Sequence, residues 1–433
     1  MQNVFIGSWS WSEHKVCAYQ STVVYNFFEQ NGYTLIPTPI NADIIVLNGY
    51  PFEEFEEKIN LLTINYYLVR YPNANIVLIG SIPAMMPYLQ GISRIQMIWL
   101  KEKDKFDALF MRSISIHNIE VDTLRFFIPL NIESLNIDKY WYLDANIESR
   151  YIFSQEDLSI DFDAIQAWNY PIDRISEYNT EKYNYLLDKT GEYPLEICTW
   201  CGWYCSYCDI RSIAGFVQSI PTEIILRKIK RWLWLWYTIF HFIDEDSASY
   251  GLDIWKNFAQ LLNEINAIEW NFRLKIFYFE PGRLERLFHT IDPAIWNRII
   301  NFCVPLQTMS QRILKLMNRS YNIPNVLSIT QEIKRINPNI IITTQFIYWF
   351  PSETFDEFKT YFQVINYFDE VWFWYYSDRK WTQSPFFMGK IPKEEMIRRL
   401  VFLWKMKEHF LTKIFDKNET LHQGIHIFQK RDI

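Results

Sequence analysis

Four of the six cysteines in this 433-residue chain fall close together, at Cys198, Cys201, Cys205 and Cys208. Clustering of that density, in a chain whose first residues lack the basic and apolar regions of a secretion signal, points to metal rather than to disulfides. Cys201, Cys205 and Cys208 have the spacing C-x3-C-x2-C. Three thiolates on one loop are soft ligands suited to three irons of a cubic [4Fe-4S] cluster, and the fourth iron stays open to a small molecule. A cluster that only relays electrons would want a fourth cysteine. The competing reading is a zinc ion on all four cysteines, but zinc sites usually pair two separated C-x2-4-C knuckles.

An aromatic residue, Tyr207, directly precedes the last cysteine. With it, the loop resembles the signature of the radical S-adenosylmethionine (SAM) superfamily. The resemblance implies one [4Fe-4S] cluster on Cys201, Cys205 and Cys208, with SAM's amino and carboxylate groups chelating the open iron. It also implies reductive cleavage to methionine and a 5′-deoxyadenosyl radical that abstracts hydrogen, with an external electron donor of the flavodoxin or ferredoxin type.

The formal net charge is -7, which argues against nucleic acid as a partner. The longest apolar run, residues 232–243, contains His241 and is too short to span a bilayer. It reads as a helix end followed by a buried strand. The expected location is the cytoplasm. Glycine is scarce, 12 residues against an average near 7%.

Residues 3–7, 42–48 and 74–79 are apolar strand candidates, and residues 12–30 and 55–69 have helical periodicity. Such alternation predicts a small parallel α/β sheet over residues 1–100. The segment order resembles the N-terminal domain of the methylthiotransferases, which attach methylthio groups to tRNA bases or to a ribosomal protein. In that family three cysteines of this domain hold a second [4Fe-4S] cluster. The matching positions here are Ser8, Tyr50 and Ser81, whose hard oxygens replace thiolate poorly. Cys17, alone on its helix, reads as a small buried residue. The domain is expected to keep the fold without the second cluster. Residues 101–193 match no pattern and read as an insert or linker.

From residue 195 the pattern repeats as strand and helix. Strands are expected at 195–199, 237–243, 272–279, 302–306, 340–346 and 370–376, with helices opening at 221 and covering 252–265, 311–317, 325–336, 355–367 and 392–408. Six such units predict a partial (β/α)6 barrel over residues 194–411, with chemistry at the C-terminal strand ends. The fold class is α/β: a small N-terminal parallel domain followed by a partial radical SAM barrel. The 412–433 tail is too short for the RNA-binding β-barrel that methylthiotransferases append.

Several strand-end stretches resemble methylthiotransferase motifs: Asp246-Ser247-Ala248-Ser249-Tyr250-Gly251, Val304-Pro305-Leu306-Gln307, residues 313–319, and Phe350-Pro351-Ser352-Glu353-Thr354. The resemblance implies SAM contacts from Glu245, Asp246 and Gln307, and a matching arginine in Arg273. Without it, the acidic run would read equally well as a loop capping a helix, and Arg273 as half of a structural pair. Departures concentrate near the last motif. The family's aspartate is Gln345, its valine and glycine are Tyr348 and Trp349, its second glycine is Ser352, and the glycine after Pro-Leu-Gln is Met309. Glycine at such places permits close approach to a ligand, so Trp and Met fill space near adenosine or substrate. Either the pocket is reshaped for a smaller substrate or SAM binding is weakened; the retained cysteines and Tyr207 favour reshaping.

The expected function is hydrogen abstraction from a small-molecule or peptide substrate by a radical SAM enzyme. One alternative is methylthiolation with an external sulfur source. Another is a regulator that binds SAM and cluster without turnover.

Overall fold

Runs that are apolar on both faces must be covered on both sides, and the chain meets that need with two parallel sheets. The computed structural model describes residues 2–8, 15–49, 54–99, 102–110, 113–127, 185–188, 190–210, 215–379, 381–410 and 426–429. Contacts divide the chain into two units, residues 1–50 with 59–188 and residues 51–58 with 189–433.

The first unit holds β1 (Asn3–Ser8), α1 (Lys15–Gln30), β2 (Thr34–Leu35), β3 (Ile44–Gly49), α2 (Glu54–Arg70), β4 (Asn75–Gly80), α3 (Ile82–Met85), β5 (Ile95–Met97) and α4 (Asp104–Phe110). A parallel sheet runs β2-β1-β3-β4-β5. Every residue of β3 is buried, as its unbroken apolar run requires. Val4, Phe27, Phe28, Val46 and Val77 share one core with Phe106, Ile116, Leu124 and Phe127. The expected boundary at residue 100 therefore falls inside a core, because residues 102–127 cover the α1 side of the sheet. Two short antiparallel strands, β6 (Arg125–Phe127) and β7 (Tyr185–Leu187), close this unit. Most of the expected insert, residues 128–184, lies outside the described residues. Ser8 and Ser81 are buried at the carboxyl ends of β1 and β4; Tyr50 lies outside the described residues.

The second unit holds six parallel strands side by side in chain order: β8 (Glu192–Leu195), β11 (Ile239–Phe242), β12 (Arg273–Ile276), β13 (Ile299–Cys303), β14 (Ile341–Tyr348) and β15 (Glu370–Tyr375). Within the tail, β16 (His426–Gln429) adds an antiparallel edge; residues 411–425 and 430–433 lie outside the described residues. The helices are α5 (Thr222–Trp234), α6 (Phe258–Asn266), α7 (Pro281–Leu287), α8 (Gln311–Leu316), α9 (Ile323–Ile336), α10 (Phe355–Lys359) and α11 (Lys393–Phe410). Phe240, Leu274, Phe302, Ile342 and Phe373, one from each central strand, lie in one buried core. The run at 232–243 divides as expected, into the end of α5 and β11. No described helix is long and apolar enough to cross a membrane.

Several expected elements shift: the fourth barrel strand runs Ile299–Cys303 rather than 302–306, and the helix expected over 355–367 is α-helical only to Lys359. The first barrel strand ends at Leu195 rather than Thr199. The N–H groups of Ile197 and Cys198 donate to the Asp244 carboxylate at 3.0 and 3.1 Å, which draws the chain out of the sheet. Cys198–Thr199 (β9) then pairs with Gln218–Ser219 (β10). The helix expected over 252–265 starts only at Phe258, where Asn257 and Gln260 form a reciprocal capping box.

Candidate active site at the cysteine loop

The cysteine loop leaves β9 at the carboxyl edge of the barrel sheet, and the acidic run after β11 fastens it. Asp244 accepts from the Ile197 and Cys198 amides. Glu245 accepts from the Trp200 amide at 3.2 Å. Asp246 accepts from the hydroxyl of Ser249 at 2.5 Å, and that hydroxyl oxygen accepts from the Gly202 amide at 2.8 Å. The other Asp246 oxygen accepts from the amides of Ala248 and Glu280, both at 3.2 Å. Three consecutive carboxylates thus address successive stretches of the loop backbone. A Cβ at Gly202 would meet Leu252 Cδ1 at 2.5 Å and Ser249 Oγ at 3.1 Å, so a larger residue here would have to displace the Leu252 side chain.

The far side of the loop is tied to the end of α8 and to the segment that follows β15. The Ser206 amide and hydroxyl donate to the carbonyls of Met317 and Leu316 at 3.0 and 2.6 Å. Asn318 donates to the Tyr204 carbonyl at 2.7 Å. The amides of Gln383 and Ser384 both donate to the Ser206 carbonyl at 2.9 Å. Tyr207 packs with Ile313, Met317 and Phe350, and its hydroxyl accepts from Arg319 at 3.1 Å. Arg319 also faces the buried Glu280 carboxylate at 3.6 Å.

The thiols of Cys201, Cys205 and Cys208 are all pushed up, chiefly by burial; Cys201 also feels the charges of Cys205 and Cys208, and Cys208 that of Cys205. Arg319 pulls against this at Cys205 and Arg379 at Cys208. Three half-buried thiols on one loop that resist ionisation suit a cationic iron–sulfur core, which deprotonates its ligands. Cys198 instead lies 3.9 Å from the Asp246 carbonyl, with burial and Asp244 raising its thiol. The residues present fit a three-cysteine cluster.

Gln307 lies in the left-handed backbone region, at φ 66, between the ends of β13 and β14. Its backbone bonds Gln345 and Ile347 at 2.7 and 2.9 Å, while its buried side-chain Oε1 has no partner. A strained residue presenting an orphaned acceptor suits a ligand that donates, as SAM's ammonium does. Arg273 is a correction. It opens β12 at the amino end, opposite the cysteine loop, is exposed, and bonds Asn271 at 3.2 Å. The structure therefore does not bring it to the site. Sequence reasoning missed Asp244, Ser249, Glu280 and the pairing of Arg319 with Tyr207. The signal for Asp244 was its place at the head of the acidic run directly after a strand.

A family model described as the radical SAM superfamily matches residues 195–365. The ribosomal protein uS12 methylthiotransferase RimO of Thermosipho melanesiensis is 29% identical over 238 residues, 53% of this chain and 54% of that one. The probable threonylcarbamoyladenosine tRNA methylthiotransferase of Methanocaldococcus jannaschii is 30% identical over 218 residues, 48% and 51% of the two chains. These matches span about half the length of those relatives. The RimO protein of Dictyoglomus thermophilum aligns over 401 residues at 23% identity, 90% of this chain and 80% of that one. Among solved structures, the radical SAM methyltransferase TsrM of Kitasatospora setae, with cobalamin and a [4Fe-4S] cluster bound, matches with a TM-score of 0.50 at 11% identity, covering 86% of this chain and 72% of that one. That likeness concerns the fold alone. Since one relative is named for tRNA, the expectation that charge argues against nucleic acid is not borne out. Net charge describes the whole surface and not a local patch. The chain carries a radical SAM domain and is methylthiotransferase-like in sequence.

Proposed function

We propose that this chain is a radical SAM enzyme that works in the cytoplasm and abstracts hydrogen from a small-molecule or peptide substrate. The observation that carries the reading is the three-cysteine loop, buttressed on both sides at the carboxyl ends of six parallel strands. Cys201, Cys205 and Cys208 would hold one [4Fe-4S] cluster. When bound, that cluster supplies an open iron for SAM and an electron for breaking its sulfonium bond, the electron coming from an external flavodoxin or ferredoxin type donor. The chain's own part is positioning. Asp244, Glu245 and Asp246 fix the loop backbone, Tyr207 and Arg319 brace its last turn, and Gln307 offers its free acceptor to SAM. Serine at positions 8 and 81 and tyrosine at 50 support a single cluster.

Methylthiolation is the second reading, favoured by the names of the relatives. With one cluster, it would need sulfur from another source. Anaerobic incubation with SAM and a strong reductant tests the proposal. 5′-Deoxyadenosine is expected, and its absence from protein with an intact cluster would overturn the enzyme reading in favour of a silent SAM-binding regulator. A product heavier by CH2S would favour methylthiolation.

A further inference from the structure

Tryptophan occupies backbone that glycine would normally take. Ten non-glycine residues among those described have positive φ, and four of them are tryptophan: Trp200 (φ 72), Trp236 (φ 68), Trp255 (φ 57) and Trp349 (φ 69). The left-handed region is ordinarily used by glycine, and by Asn or Asp with local hydrogen bonds; a bulky residue there is an outlier.

Three of the four sit in settings with their own reason for glycine, and the fourth, Trp200, opens the cysteine loop. Trp236 follows α5. There the amide of Trp236 donates to the Leu233 carbonyl at 3.0 Å and that of Tyr237 to the Trp232 carbonyl at 3.1 Å. These are the two bonds of a Schellman motif, whose left-handed position is usually glycine. Trp255 sits in a turn closed by Lys256 donating to the Gly251 carbonyl at 3.0 Å. The two side chains are 90% and 99% exposed, so packing compensates little for the strained backbone. Trp349 has a buried indole N–H without a partner, next to the Phe350-Pro351 stretch where the methylthiotransferase motif has glycine. Trp200 directly precedes the first cluster cysteine, and its amide is committed to Glu245.

Two other tryptophans, Trp232 and Trp296, behave as tryptophan should. Trp296 is buried among core aromatics, and Trp232 stacks on Tyr193 at 4.5 Å between ring centroids. Composition points the same way. Glycine, at 12 of 433 residues, falls far below the usual share of roughly 7%, while tryptophan outnumbers it at 18.

We propose that positions 200, 236, 255 and 349 carry glycine in the polypeptide made by the native host, through a UGA codon read there as glycine rather than tryptophan. Trp232 and Trp296 remain tryptophan, encoded by UGG. At 200 and 349 the change bears on the site. It frees the bend into the cysteine loop and removes an indole from the barrel mouth, leaving room for the adenosine of SAM. That last consequence rests on the radical SAM reading; the glycine assignment does not.

The test is peptide mass spectrometry of the protein from native cells, read beside the codons of its gene. The expected result is glycine at all four positions over UGA, and tryptophan at 232 and 296 over UGG. Tryptophan at 200 and 349 in native peptides would overturn the proposal. Recombinant protein provides a second readout. The variant with Trp→Gly at all four positions should unfold at higher temperature than the tryptophan chain and, with its cluster rebuilt, bind SAM about tenfold more tightly. A lower unfolding temperature for the glycine variant would count against the assignment. Native glycine peptides with no SAM binding by either chain would leave the assignment standing and sink the radical SAM reading instead.

Discussion

Asp244 offers the sharpest test of how the cysteine loop is held. It is buried, and one of its oxygens accepts both the Ile197 and the Cys198 amide, at 3.0 and 3.1 Å. Asp244→Ala would leave two buried N–H groups without partners. Each such loss costs about 1–3 kcal/mol, so the variant should be less stable by about 2–6 kcal/mol. That is a large part of the 5–15 kcal/mol typical of a domain. Asp244→Asn keeps an acceptor oxygen in place. Burial already pushes the Asp244 carboxyl well up, so a neutral amide is a close substitute. It should lose less than half as much. Urea unfolding followed by far-ultraviolet circular dichroism gives the two differences, and iron retained after anaerobic reconstitution gives the effect on the loop. Alanine should lower both and asparagine should largely preserve them. Equal losses for the two variants, or an alanine variant of parental stability, would refute the argument that these two amides steer the chain out of the sheet.

Other expectations follow from the same network. Burial raises the Glu353 carboxyl from 4.5 to about 7, with Tyr361 and Arg399 pulling the other way. A carboxyl raised on folding contributes stability below its unfolded value and loses it as pH rises through about 7. The stability of the parent relative to Glu353→Gln should therefore fall by about 3 kcal/mol between pH 4.5 and 8; a difference that grows with pH would contradict this. Arg399 donates to Glu353 at 2.6 Å inside the fold, so Arg399→Met should cost about 3–5 kcal/mol in urea unfolding. Arg319→Met removes the donor to Tyr207 and strands Glu280, and should lower iron retention together with stability, whereas Arg319→Lys should lose less of both. Gln307→Leu deletes an orphaned acceptor, so equilibrium dialysis should show weaker SAM binding while the unfolding midpoint holds or rises.

Much of this architecture is legible because the strands are short apolar runs bounded by helices with clear faces. β3 and β14 read directly from such runs, and α5 from Pro221 and its following periodicity. What stayed hidden depends on contacts across long stretches of chain. No local pattern around Ile197 announces that a carboxylate 47 residues on will end its strand. Residues 102–127 read as an insert because each apolar piece there is short, and only packing on α1 makes them core. At the candidate site, the cysteines stand out by their spacing alone. Arg273 was misplaced because a motif match does not say at which end of a strand a residue lies. Glu280 was overlooked because a lone glutamate before Pro281 looks like a helix cap, a role it also fills by accepting from the Arg283 amide at 2.7 Å.

The central claim is that three cysteines, and not four, hold an iron–sulfur cluster with one iron open. The most direct measurement is metal and sulfide content after anaerobic reconstitution, compared across cysteine variants. We predict about four iron and four sulfide per chain, retained in Cys198→Ala and lost when Cys201, Cys205 and Cys208 are all replaced by alanine. Zinc in place of iron, loss of metal in Cys198→Ala, or about eight iron per chain would contradict it.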